Sequence, residues 1–96
     1  MEIEELLKQK REEILRLVSK HGAGNVRIFG STARGEAGLD SDVDFLVQVI
    51  GPTTPWFPVG LILDLEELLG CKVDVLTEDS VHWLLRRRIL KEAVSL

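Results

Sequence analysis

The sequence predicts an α/β architecture of the α+β kind, one small sheet covered by helices. Three observations predict it. Apolar residues recur with helical spacing in three segments. Short runs rich in β-branched and aromatic residues lie between those segments. Glycine or proline punctuates nearly every junction.

Residues 2–20 read as the first helix. Ile3, Leu6, Leu7, Ile14, Leu17 and Val18 share one side, and Glu4, Glu5, Lys8, Gln9, Glu12 and Glu13 fill the other. The stretch His21-Gly22-Ala23-Gly24 stops it, because glycine takes the left-handed C′ conformation at little cost. Val26–Phe29 reads as a strand. The run Gly30-Ser31-Thr32-Ala33-Arg34-Gly35 follows, and its flanking glycines predict a tight turn enclosing one helical turn. Residues 36–41 read as a loop and Val43–Ile50 as a second strand. Three prolines make 51–58 a loop. Residues 59–69 form a helix that buries Leu61, Ile62, Leu65, Leu68 and Leu69 and ends at Gly70. A third strand spans Lys72–Thr77. Ser80 is expected to cap a last helix running to about Ala93, with Val81, Leu84, Leu85, Ile89 and Leu90 facing inward.

Bulk properties narrow the function. The chain has 96 residues, which fits one domain over 1–96 and leaves no second domain for an acceptor. At 45% hydrophobic and 29% charged residues, it has the composition of an ordinary globular protein. The net charge of −4 lacks the basic surplus of a duplex nucleic-acid binder. No apolar run approaches the roughly 20 residues that span a membrane. The acidic start is unlike a secretory signal. The single cysteine, Cys71, permits neither an intrachain disulfide nor a cysteine zinc cluster. A cytoplasmic location is expected.

One constellation carries chemistry. Asp42 and Asp44 are two apart beside or within a strand, so they point to one face. Close carboxylates repel, and a divalent cation removes the conflict. Hard oxygen donors suit Mg²⁺, or Mn²⁺, with phosphate and water completing the shell. Asp74 lies mid-strand between two valines and joins them if its strand adjoins theirs. Three such carboxylates are the set that two-metal phosphoryl transfer needs. The Gly30-Ser31 turn offers N–H groups and a hydroxyl to phosphate, and Arg34 adds a forked donor. Singly, each part has a commonplace explanation: a turn, a capping segment, an edge-strand carboxylate. Their order along the chain does not.

Other candidates are weaker. Arg86-Arg87-Arg88 reads as a solvated basic face near a helix C-terminus, with contact to a phosphate or an acidic partner as the alternative. Trp56 and Phe57 read as core or interface residues in preference to base-stacking ones. His21 and His82 read as structural or exposed, and Cys71 as a small buried hydrophobe.

The segments from Ile28 to Gly35 and from Ser41 to Val47 resemble the signature of the DNA polymerase β-like nucleotidyltransferases. Leu68-Leu69-Gly70 before Val73-Asp74-Val75, with the ending Ile89 to Val94, resembles the minimal nucleotidyltransferases. The resemblance implies a mixed sheet flanked by helices. It implies that Asp42 and Asp44 bind both metal ions, that Asp74 binds the catalytic one, and that Gly30 and Ser31 hold the phosphates of the NTP. Arg34 matches a frequent family position. It further implies a HEPN-type toxin as partner, with AMP moved from ATP to a hydroxyl of that partner. Two alternatives stand beside this reading. One is an antitoxin that only masks its partner. The other is a free-standing transferase acting on a small molecule, for which a homo-oligomer would have to supply the acceptor pocket.

Overall fold

Two helices form where the spacing predicts one. The computed structural model, which describes residues 3–30, 32–34 and 42–96, has α1 at Ile3–Gln9 and α2 at Arg11–Lys20. Hydrogen bonds continue on both sides of Lys10, from Lys10 N–H to Leu6 O and from Ile14 N–H to Lys10 O. Lys10 itself has φ −99° and ψ 8°, so regular helical geometry is interrupted there. Neither glycine nor proline marks the spot.

The remaining elements are β1 (Ala23–Phe29), β2 (Val43–Val49), α3 (Val59–Leu69), β3 (Val73–Thr77), a 3₁₀ turn at Glu78–Ser80, α4 (Trp83–Glu92) and β4 (Val94–Ser95). The sheet order is β3-β2-β1-β4. β1 runs antiparallel to β2 and to β4, while β2 and β3 are parallel. The sheet is thus mixed. A parallel pair needs a crossover, and α3 supplies it. Gly70 ends α3 as expected: its φ is 70°, and its N–H donates to Glu66 O at 2.8 Å.

Helices α1, α2 and α3 bury one face of the sheet. Ile3, Leu7, Ile14, Val18, Leu61 and Leu65 pack there against Val43, Phe45, Val47 and Val75. That leaves the other face for polar work. Among the described residues, no helix is long and apolar enough to cross a membrane.

The edge strand β3 is blunted. Val43 N–H donates to Lys72 O, so by alternation the N–H groups of Val73, Val75 and Thr77 point away from the sheet. Each is taken by a side chain: Glu66 Oε2 at 3.2 Å, Asp74 Oδ1 at 2.9 Å and Ser80 Oγ at 3.1 Å. With its outward donors taken, the edge is a poorer template for another chain.

The C-terminal helix departs from expectation twice. Ser80 does not cap it; Ser80 and Thr77 close a capping box around the 3₁₀ turn, and His82 Nδ1 accepts from Leu84 N–H at the start of α4. Nor does the helix bury an apolar face. None of its residues is buried, and Leu84 is 64% exposed. The short β4 was also not foreseen, because two residues leave no periodicity to read.

Candidate active site

Sheet register builds the site. Phe29 pairs with Asp44 across the antiparallel ladder, and Asp44 pairs with Asp74 across the parallel one. Directly opposed residues share a face, so Phe29, Asp44 and Asp74 form one row on the face that the helices leave open. Asp42, exposed just before β2, lies two residues from Asp44. The next row on that face is Arg27, Leu46 and Leu76. There the Arg27 guanidinium pairs with Glu78 Oε1 at 2.7 Å.

Gly30 stands over the row. Its φ is 72°, and a Cβ added there would lie 2.6 Å from Asp44 Oδ2. The position thus demands glycine twice, for the backbone and for the approach of the carboxylate. Arg34 N–H donates to Gly30 O at 3.2 Å, which closes the expected helical turn. The Arg34 side chain lies 3.6 Å from Glu92 Oε2 on α4. Ser31 and the 36–41 loop, both part of the expected phosphate and metal segment, lie outside the described residues.

Electrostatics mark Asp44 as the centre. Burial pushes its carboxyl above the usual range, Asp74 and then Asp42 push it further, and Arg34 partly offsets them. Two like charges therefore act on Asp44 across this face. Asp74 is also held from behind, since its Oδ1 accepts the Val75 N–H. Among the described residues, no three His, Cys, Asp or Glu side chains converge as a preformed metal set. The convergence of Asp74 with the pair is thus partial: it shares their row but turns one oxygen to the sheet edge. The donors still suit a divalent cation. All are hard oxygens, and the repulsion that raises the Asp44 pKa is what a cation would relieve.

The secondary candidates separate clearly. His21 is buried. Its Nε2 lies 2.7 Å from Asp64 Oδ2, and its Nδ1 bonds the Thr54 hydroxyl. It pins the proline loop to α2 and α3, far from the carboxylate row. His82 is exposed and stacks on Trp83. Phe57 packs on the core, but Trp56 is 86% exposed and belongs to no core. Arg86, Arg87 and Arg88 are exposed as expected, with Arg88 paired to Glu92. Cys71 is half-buried, its thiol pushed up by burial and then by Asp42 and Glu66. Sequence reading missed Phe29 as a neighbour of the carboxylates and Glu92 as the partner of Arg34. Only strand register and the fold of α4 bring them there.

The profile of the nucleotidyltransferase domain family matches residues 7–96. A protein of Methanocaldococcus jannaschii, provisionally named a protein adenylyltransferase, is 45% identical over 84 residues, 88% of this chain and 90% of its own. A solved structure, provisionally described as a minimal nucleotidyltransferase, is also 45% identical. It superposes with a TM-score of 0.85, covering 100% of this chain and 97% of that one. A toxin–antitoxin structure with AMP-PNP has a TM-score of 0.74, covering 88% of this chain and 69% of that one. At 20% identity that last likeness shows the fold alone.

Proposed function

The chain belongs to the nucleotidyltransferase domain family, and from that premise we propose that it moves AMP from ATP to a hydroxyl of a partner protein, releasing pyrophosphate. We place it in the cytoplasm, where ATP is at hand, as the antitoxin of a toxin–antitoxin pair whose toxin is of the HEPN type. The relative named for protein adenylyl transfer supports the transfer, and a fold shared with a toxin–antitoxin structure is consistent with the pairing. The observation that carries it is the row Phe29, Asp44, Asp74 facing the Gly30 turn.

Each residue has a role in this reading. Asp42 and Asp44 would hold divalent cations, Mg²⁺ or Mn²⁺, and Asp74 would help hold the catalytic one. When bound, such ions offset phosphate charge and lower the pKa of an attacking hydroxyl. Gly30 lets the backbone N–H groups of its turn approach the phosphates, Ser31 adds its hydroxyl, and Arg34 adds a second donor. Asp74, oriented by the Val75 N–H, uses Oδ2 to hold the acceptor hydroxyl and take its proton. The acceptor oxygen then bonds the α-phosphorus, and the bond to the bridging oxygen breaks with its electron pair on pyrophosphate. Phe29 borders the carboxylates and excludes water from one side.

Transfer is tested by incubating the chain with α-phosphate-labelled ATP, Mg²⁺ and its co-encoded partner. The partner should become labelled, and Asp44→Asn should remove the label. Equal labelling by that variant would sink the reading. The exposed α4, with Trp83 at 75% and Leu84 at 64% exposure, favours a second reading, in which the chain neutralises its partner by covering it. If Asp42→Asn with Asp44→Asn still protects cells from the partner, covering alone suffices.

A further inference from the structure

Two helices each carry an outward face that the core does not use. On α3, Val59, Leu63 and Glu67 follow at i, i+4 and i+8, while Leu61, Leu65 and Leu69 point inward. Val59 is 52% and Leu63 60% exposed, and Glu67 is exposed as well. On α4, Trp83, Arg87 and Leu90 follow at i, i+4 and i+7, with Leu84 and Lys91 beside them. All five are exposed. Scattered exposed apolar residues are ordinary, but apolar stripes at helical spacing mark contact surfaces.

The two faces carry opposite charge. α3 holds Asp64, Glu66 and Glu67 and no base. α4 holds Arg86, Arg87, Arg88 and Lys91 against one acid, Glu92. Asp64 and Glu66 bond within the molecule, and Arg88 pairs with Glu92. Among the described residues, Glu67, Arg86, Arg87 and Lys91 form no ion pair with one another or with the rest. The order along each helix also agrees. In both, the exposed apolar residues come first and the charges follow. Laid side by side in the same direction, the two helices match apolar with apolar and base with acid.

We propose that α4 of one molecule docks in this way on α3 of a second copy, Trp83 and Leu84 against Val59 and Leu63, Arg87 beside Glu67. The proposal does not depend on the nucleotide reading. A different protein that covers α4 would have to displace the second copy. Two short helix faces bury less than a standard interface, so the association is weak and sensitive to salt.

Sedimentation equilibrium of the full chain tests it. The average mass should rise above that of one chain as concentration approaches about 1 mM. Raising salt from about 50 to about 500 mM should weaken the association about tenfold or more. Arg87→Glu and Glu67→Arg change exposed positions, so each should fold as wild type does. Each alone sets like charges together and should weaken self-association about tenfold or more. An equimolar mixture of the two variants restores opposite charges across the contact, and should associate within about threefold of wild type. A mass of one chain at about 1 mM would overturn the proposal and leave both faces to other proteins. So would single variants that associate as wild type does, or a mixture as weak as its components.

Discussion

Gly30 and Gly70 share a backbone conformation, with φ near 70° at both, but not a neighbourhood. A Cβ at Gly70 meets nothing within 4 Å, whereas one at Gly30 meets Asp44 Oδ2. The pair therefore separates strain from collision. Alanine at either position should cost about 1–2 kcal/mol, the penalty of a left-handed L-residue, read by urea unfolding. Gly30→Ala should in addition displace the Asp44 carboxylate. Misplacing a reacting group by about 1 Å can cost a hundredfold in rate, so transfer by Gly30→Ala should fall at least tenfold while Gly70→Ala stays near wild type. If both variants lose activity equally, Gly30 acts through stability and the close approach to Asp44 is incidental.

Among the elements, α2, the proline loop and α3 meet at His21. Asp64 is the partner whose charge matters: the His21 hydrogen bond, opposed by slight burial and aided by Lys20, holds its carboxyl below the usual range. An acid with a depressed folded pKa binds its proton less tightly when folded. Its contribution is therefore complete above the unfolded value, 3.8, and is lost as pH falls through the lower folded value. Asp64→Asn keeps an acceptor for His21 but loses the charge, so above about pH 5 it should cost up to about 1 kcal/mol, the difference between a charged and a neutral hydrogen bond. The gap from wild type should narrow below pH 4. Melting curves at stepped pH would show this, and a gap that stays constant to pH 2 would contradict it. This clamp also shows what the sequence hides. His21 and Asp64 are 43 residues apart, and no periodicity links them. The three main strands and the boundaries of α3 were legible, because side-chain alternation and glycine stops are local rules; that Asp44 and Asp74 share a row also needed β3 to lie beside β2. The interruption at Lys10, the brief β4 and the exposed face of α4 were not. Each depends on what the rest of the chain leaves uncovered, and an apolar helix stripe looks the same whether it meets a core or a partner.

Over the whole molecule, the open face of the sheet is where charge opposes the fold. The chain is net −4, and Asp74 and Asp42 act on Asp44 on that face. Asp44 behaves oppositely to Asp64. An acid whose folded pKa is raised binds its proton more tightly when folded, so it favours the fold at low pH. That advantage is lost as pH rises from the unfolded value, 3.8, through the folded one. At neutral pH its ionised form is a standing penalty, moderated by solvent screening because the group is only half-buried. Asp44→Asn should therefore be at least as stable as wild type at pH 7 without metal, while on the function proposed above it should lose transfer. Wild type should gain where the variant cannot. Mg²⁺ at ten times its dissociation constant adds about 1.4 kcal/mol to a folded state that alone binds it, or roughly 5–10 °C for a domain of this size. The shift should vanish with chelator and be absent in Asp44→Asn. Equal shifts in the two proteins would place the ion elsewhere on the acidic surface and detach it from the carboxylate row. A variant less stable than wild type in metal-free buffer would mean instead that Asp44 supports the fold through a bond and does not strain it through repulsion.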